Sequence, residues 1–355
     1  MKKLSVLCLF AVFCSVSCTM TDLEHLICKD LTFNADECVD INSSKWKIQR
    51  EIVLESTSGS LLSNNEIGLL IDNKDLFLFD KTGVLRFDRD GKFINSIGRL
   101  GHGKGEYTAV TDVTLNKDKN MIEVLSPNYI HKFDYEGNIK EKTSLSLPTT
   151  SFLYDNSCYW VGTGHTTDIL LYKLNEKGEE VATYLENDFK IPVMEDNFGK
   201  GTIKTFRDSF SHDIYHMNGD TIILAYRMNF PGLDLPKSIY SSDIDKVSDD
   251  LKSKNYMMIR RFIENQQYIY MLLTENVSSG KTENMYHWII EKKSNKQICI
   301  KLTLDDIMKN PYHLNAQVLT EDNILYCVGY VNVENKEALN NNPSVVLVDL
   351  KKIFE

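Results

Sequence analysis

RFDRDGK at 86–92, KFDYEGN at 132–138 and KLNEKGE at 173–179 share one phrase, an apolar residue (Phe87, Phe133, Leu174) entering a turn that holds a glycine (Gly91, Gly137, Gly178). The glycines lie 46 and 41 residues apart, close to the roughly 40–50 residues of one propeller blade. Glycine suits a tight hairpin because the turn needs positive φ, which a Cβ resists. The apolar position before it is read as core, buried between stacked blades.

Outward from these turns, 68–98 and 112–145 each parse as four short strands rich in Val, Ile, Phe, Tyr and Thr, broken by Gly, Asn and Asp. Drifted copies follow around DSFSHDIYHMNGDTIILAY, around RRFIENQQYIYMLLT with MYHWIIEKKSNKQICIKL, and from AQVLTEDNILYCVGYV to SVVLVDLKK. The expected fold is all-β, a six-bladed β-propeller with four-stranded antiparallel blades over 45–355. Six blades of about 45 residues need about 270, leaving room for loops and one insertion. That insertion is Ser241 to Asn255, where Ile244, Val247 and Leu251 fall at helical spacing and predict one short surface helix. An open ring leaves unpaired strand edges. The segment from Trp46 to Ser56 is the candidate for the missing strand of the last blade.

Lys2 and Lys3, an apolar run from Leu4 to Val16 and the stretch Ser15-Val16-Ser17-Cys18 read as a secretory signal over 1–17. The run is too short to span a bilayer, which takes about 20 residues. Two processing routes meet at one bond: ordinary cleavage after Ser17, or lipid attachment at Cys18. Lipidation is favoured, although Ser15 stands where lipoprotein signals usually carry Leu. Residues 18–44 then form a flexible leader, and the partner implied is a membrane held through the N-terminal lipid.

The formal net charge is −10 over the whole chain, and it becomes more negative once Lys2 and Lys3 leave. This balance lacks the basic face that nucleic acid requires, and that partner is excluded. Of eight cysteines, Cys28, Cys38, Cys158, Cys299 and Cys327 remain beyond the signal and Cys18. Cys28 and Cys38 are either a local bridge in an oxidising compartment or two free thiols. Cys158, Cys299 and Cys327 sit in strand-like runs and read as small core residues. No zinc-site spacing occurs, and no cofactor is implied.

The ordered phrases resemble a known family, the six-bladed β-propeller lipoproteins of Bacteroides-type bacteria, related in architecture to NHL-repeat propellers. IVLEST at 52–57 is similar to the family's opening, FDRDGKFINSIGRLGHGKGEY at 87–107 to its most recognisable phrase, DIYHMNGD at 213–220 with Leu235-Pro236 to its middle, and FIENQQYIY at 262–270 to its fifth blade. Lys104 departs from the family's usual proline. The resemblance implies a cell-envelope lipoprotein, often encoded near nutrient-uptake systems, and brings no catalytic residues with it.

Chemistry-bearing patterns are sparse. GRLGHGKG at 98–105 matches G-x-x-x-x-G-K, but a strand-like run follows where a phosphate loop opens a helix. It reads as a connector between blades with its ends tied by Arg99 and Glu106. Arg99, His102 and Lys104 are retained as candidate contacts for an anionic ligand. Trp160 and His165, within 154–168, are retained as candidates for a stacking site, with Trp160 as blade core the default. His212 and His216 would chelate a metal only on a helix, and their β-rich flanks argue for strand. Asp249-Asp250 and Asp305-Asp306 read as solvated surface. The function expected is a non-enzymatic binding or protein-interaction module for a glycan, peptide or protein. The rival is a propeller hydrolase or lyase with a site at the central channel.

Overall fold

A computed structural model of the chain describes residues 28–40, 46–62, 66–188, 197–208, 210–241, 243–276, 282–303, 313–330 and 341–355. The signal segment, Cys18 and Asp305-Asp306 lie outside them. The strands form a six-bladed β-propeller. Blades 1 to 5 cover 68–96, 112–144, 151–186, 198–229 and 256–303, each running from its innermost to its outermost core strand in chain order. Blade 6 takes three strands from 313–349 and its outermost from Ile48–Val53, which pairs antiparallel with Ser344–Asp349 and closes the ring. The inserted helix is Ile244–Ser253, capped by the Asp243 side chain accepting from the Lys246 amide, with Val247 buried against Ile239.

The repeated phrase is the joint between blades. In each copy the apolar residue, Phe87, Phe133 or Leu174, is fully buried. Asp88, Asp134 and Asn175 follow, and each Oδ1 accepts from amides of its own hairpin, as Asp88 does from Asp90 and Lys92 at 2.9 Å. Gly91, Gly137 and Gly178 have φ of +87°, +84° and +82°, the left-handed end of a three-residue hairpin loop. A Cβ there would also stand 2.3 Å from the Val53 carbonyl oxygen, 2.4 Å from that of Ser96 and 2.5 Å from that of Ser144. Each of those carbonyls belongs to the outermost strand of the preceding blade.

A cation one residue before the apolar position reaches the other way. Arg86 donates to the Tyr135 carbonyl at 2.8 Å, Lys132 to that of Glu176 at 3.4 Å and Lys173 to that of Gly219 at 3.0 Å. All three acceptors lie in the corresponding hairpin of the next blade. The cations also lie 5.3, 5.7 and 5.1 Å from the ring centroids of Tyr135, Tyr159 and Trp160, which adds a cation–π attraction.

At the junction of blades 4 and 5 the link is a buried carboxylate. Glu264, at the end of the innermost strand of blade 5, accepts from Tyr226 Oη at 2.6 Å and Lys292 Nζ at 2.7 Å, and its Oε2 lies 2.7 Å from His216 Nε2. Burial pushes its pKa up, but hydrogen bonding and charge from His216 and Lys292 outweigh that and hold it below the usual value.

Two expectations about the leader are corrected. Lys29–Thr32 pairs parallel with the outer edge of blade 4, and Val39–Asp40 pairs parallel with the outer edge of blade 5, so 28–40 is part of the ring and not a free tether. Cys38 bonds to Cys299, and Cys28 is a free thiol. The local bridge is not made, and Cys299 is a disulfide partner and not simply core. The sequence separation of 261 residues hides this pairing, which only the alignment of residues 39–40 beside 300–301 creates. Cys327 is fully buried, as read.

Gly137→Ala is expected to cost about 2–4 kcal/mol, combining the left-handed backbone with overpacking against Ser96. Gly219→Ala, at φ +59° in open space, should cost only about 1–2 kcal/mol, and chemical denaturation of both variants measures the difference. Glu264→Gln is expected to cost about 3 kcal/mol because it breaks a buried ionic cluster. Since the folded pKa of Glu264 lies below that of the unfolded chain, its contribution is present above about pH 4.3 and is lost as pH falls through the folded value. The stabilities of wild type and Glu264→Gln, measured by unfolding at successive pH values, should therefore begin to draw together as pH falls below about 4.3.

Candidate functional site

The innermost strands enclose a central cavity of about 760 Å³. It opens on the face that carries the turn after each innermost strand and the hairpin before each outermost one. Ile71, Leu115, Leu153 and Val318 line its neck, half-buried. The rim outside them is polar and carries both signs of charge, with Lys117 and Asp118 on blade 2, Asp155 on blade 3, Lys204 on blade 4 and Glu321 on blade 6.

Among the described residues blade 5 adds none to this lining, and blade 4 lies across it. A Cβ on Gly199 would stand 2.6 Å from the Phe262 carbonyl oxygen, and one on Gly201 2.0 Å from that of Glu264. Ile203 donates its amide to the same Glu264 carbonyl at 3.1 Å. Glycines on either side of Lys200 therefore let one innermost strand lie backbone to backbone on the next. From that strand Lys200 spans the channel, with its Nζ 3.7 Å from Asp112 Oδ1 of blade 2 and 5.0 Å from the ring centre of Phe79 of blade 1. Lys200 thus lines the cavity and lies across the channel beneath the mouth.

The rim is fastened blade to blade. Arg89 donates to the Asp72 carbonyl and, at 3.0 Å, to Tyr326 Oη of blade 6. Tyr135 Oη of blade 2 donates to Asp72 Oδ2 at 2.7 Å, and burial together with that carboxylate pushes the phenol pKa up. Tyr154 Oη donates to Glu176 at 2.7 Å and Lys119 also binds that carboxylate, which holds Glu176 below its usual range through Lys119 first and Tyr154 second. Lys204 pairs with Asp155 across blades 3 and 4, and Asn265 donates to the Thr320 carbonyl at 2.8 Å across blades 5 and 6. The mouth is preorganised, with Lys117, Asp118 and Glu321 exposed at turn tips.

The residues singled out in the sequence fall elsewhere and are not brought together. Arg99, His102 and Lys104 occupy the connector between blades 1 and 2, on the opposite face, and none lines the cavity. Arg99 Nε donates to Glu106 Oε1 at 2.7 Å, and Glu106 Oε2 accepts from the Gly103 amide at 2.7 Å, so this loop is tied at its ends. His102 and Lys104 are exposed. Trp160 is 1% exposed, under Lys173 and beside Tyr184. His165 is buried at the junction of blades 3 and 4, with Nδ1 2.9 Å from Asn187 Oδ1 and Nε2 3.2 Å from Asp208 Oδ1. His212 and His216 face different partners, the Met257 carbonyl and Glu264. Among the described residues no group of three His, Cys, Asp or Glu is arranged to hold a metal. The rim residues carry no motif. Their one sequence signal is position, just after the innermost strand of each blade.

No curated protein matches the chain. Among solved structures it is similar to an inferred exported protein of Bacteroides fragilis, at 16% identity over 90% of this chain and 99% of that one, with a TM-score of 0.70. Looser matches are a Bacteroides caccae protein of unknown function (12% identity, 68% and 88% covered, TM-score 0.40) and BamB of Moraxella catarrhalis (10%, 85% and 100%, 0.39). At these identities the likeness concerns the fold, and it rests on the first. The profile of the DUF4934 family, a domain of unknown function, matches residues 46–353, and the chain belongs to that family.

Proposed function

We propose that this protein is exported to the cell envelope, anchored there through lipid on Cys18, and acts as a binding module that takes a short peptide segment at the mouth of its central channel without altering it. The observation that carries this reading is the cavity mouth itself. A cavity of about 760 Å³ is of the size of small-ligand sites, and its apolar neck stands behind a rim of both charge signs. An apolar side chain fits the neck of Ile71, Leu115, Leu153 and Val318, while a peptide's backbone and charges match the amides, hydroxyls and ions outside. A glycan is favoured less, since the aromatic lining residues Phe152, Tyr154 and Phe198 are buried at 2%, 7% and 5% exposure and offer no open face for stacking. Export and anchoring are supported by the signal over 1–17 and the cysteine that follows it. Among the described residues no helix is long and apolar enough to cross a membrane.

Fluorescence anisotropy against a library of labelled hexapeptides tests the reading. Saturable binding of a subset is expected, and Lys117→Glu should shift the preferred set toward basic peptides by about tenfold in Kd, or about 1.4 kcal/mol, with an unchanged melting temperature. Saturable binding to oligosaccharides with none to peptides would overturn the peptide ligand. Cleavage of a bound peptide, followed by mass spectrometry, would overturn the non-enzymatic role.

A further inference from the structure

We propose that residues 28–40 form a clasp that fixes where the chain from the membrane enters the ring, at the outer edges of blades 4 and 5, and so limits how far the ring can stand from the bilayer. The proposal rests on lipid attachment at Cys18.

The clasp has three fastenings. Lys29–Thr32 adds a parallel strand to Tyr226–Asn229 at the outer edge of blade 4, and the Phe33 amide continues the pairing to the Asn229 carbonyl at 3.0 Å. Phe33, 3% exposed, then wedges between the two blades, edge-on to Phe230, Tyr286 and Trp288 with ring centres 5.1–6.0 Å apart. Beyond it, Val39–Asp40 pairs with Ile300–Lys301 of blade 5, and Cys38 is bonded to Cys299 of the same edge. The two short edge pairings would peel under a pull from the leash, because such ribbons are marginal alone. The disulfide turns the peeling edge into a fixed point, which suits the oxidising compartment that a signal segment implies.

The consequence is geometric. Eleven residue steps separate Cys18 from Lys29, a reach of at most about 40 Å at 3.3–3.6 Å per step. If the clasp were open, the next anchored strand would begin at Ile48, and the reach would rise to about 100 Å by the same measure. The clasp also covers the outer edges of two blades, which would otherwise offer unpaired backbone to other chains.

The lipidated full chain is reconstituted on phosphatidylethanolamine–phosphatidylglycerol vesicles containing an acceptor-labelled lipid, with a donor dye placed at Asn73 on the mouth. Wild type, wild type treated with a phosphine reductant after folding, and the double variant Cys38→Ser, Cys299→Ser are compared. Energy transfer is expected to fall by at least half in the reduced and variant proteins. Amide hydrogen exchange at Leu31 and Phe33 should accelerate at least tenfold, while amides of 122–125 stay protected and report an intact ring. If the double variant fails to keep that protection, the reduced wild type carries the comparison. Flotation with unchanged exchange and transfer overturns the clasp alone. A wild-type chain that does not float with vesicles overturns the anchor on which the proposal stands, and accelerated exchange in that case still assigns 28–40 as a disulfide-held strap.

Discussion

The approach of one blade's hairpin to the backbone of the blade before it is the contact on which the rest of this ring depends. At Gly91, Gly137 and Gly178 the distance left for a Cβ is 2.3–2.5 Å from a carbonyl oxygen, so no other residue fits without moving a blade. That closeness places Phe87, Phe133 and Leu174 in the seam between sheets. It also brings Arg86, Lys132 and Lys173 within reach of carbonyls one blade further on. Each copy of the phrase therefore docks backward through its glycine and forward through its cation. A ring built this way sets the distance between blades by backbone contact, with side chains filling what remains.

The same closeness shapes the channel. Where blade 4 lies on blade 5, Gly199 and Gly201 allow two innermost strands to meet backbone to backbone, and the residue between them, Lys200, is carried across the opening toward Asp112 and Phe79. Lys200 thereby narrows the channel below its mouth. Around that mouth the ionic and phenolic groups of successive blades bind one another, so the polar rim is held by the contacts that hold the blades. The charges at the turn tips are presented from a rigid frame, which lowers the ordering cost of binding.

The N-terminal strap is fastened to the ring in a different way. A propeller has no free end to spare, since Ile48–Val53 is consumed in closing blade 6. Residues 28–40 attach instead to the circumference, using the outer edges of blades 4 and 5 and one covalent bond to Cys299. Tyr286 and Trp288, which form that blade's core, also receive Phe33, so the strap is seated in the same packing that stabilises the ring.

The phrases at 86–92, 132–138 and 173–179 were enough to determine the fold, because turn chemistry and burial recur at a fixed spacing and both are local. The closing strand at Ile48–Val53 and the helix at Ile244–Ser253 were legible for the same reason: an unpaired edge and an amphipathic spacing can be read within a dozen residues. Arg99, His102, Lys104, Trp160 and His165 were conspicuous only as residue types, and the fold scatters them over a connector, a blade core and a seam. The partnership of Cys38 with Cys299, the crossing of the channel by Lys200 and the buried Glu264 cluster were decided by tertiary structure. Each joins residues far apart in the chain, the last two across blades and the first between the N-terminal strap and the edge of blade 5, and which side chains meet there depends on how closely strands and sheets approach, a quantity that no stretch of sequence encodes by itself.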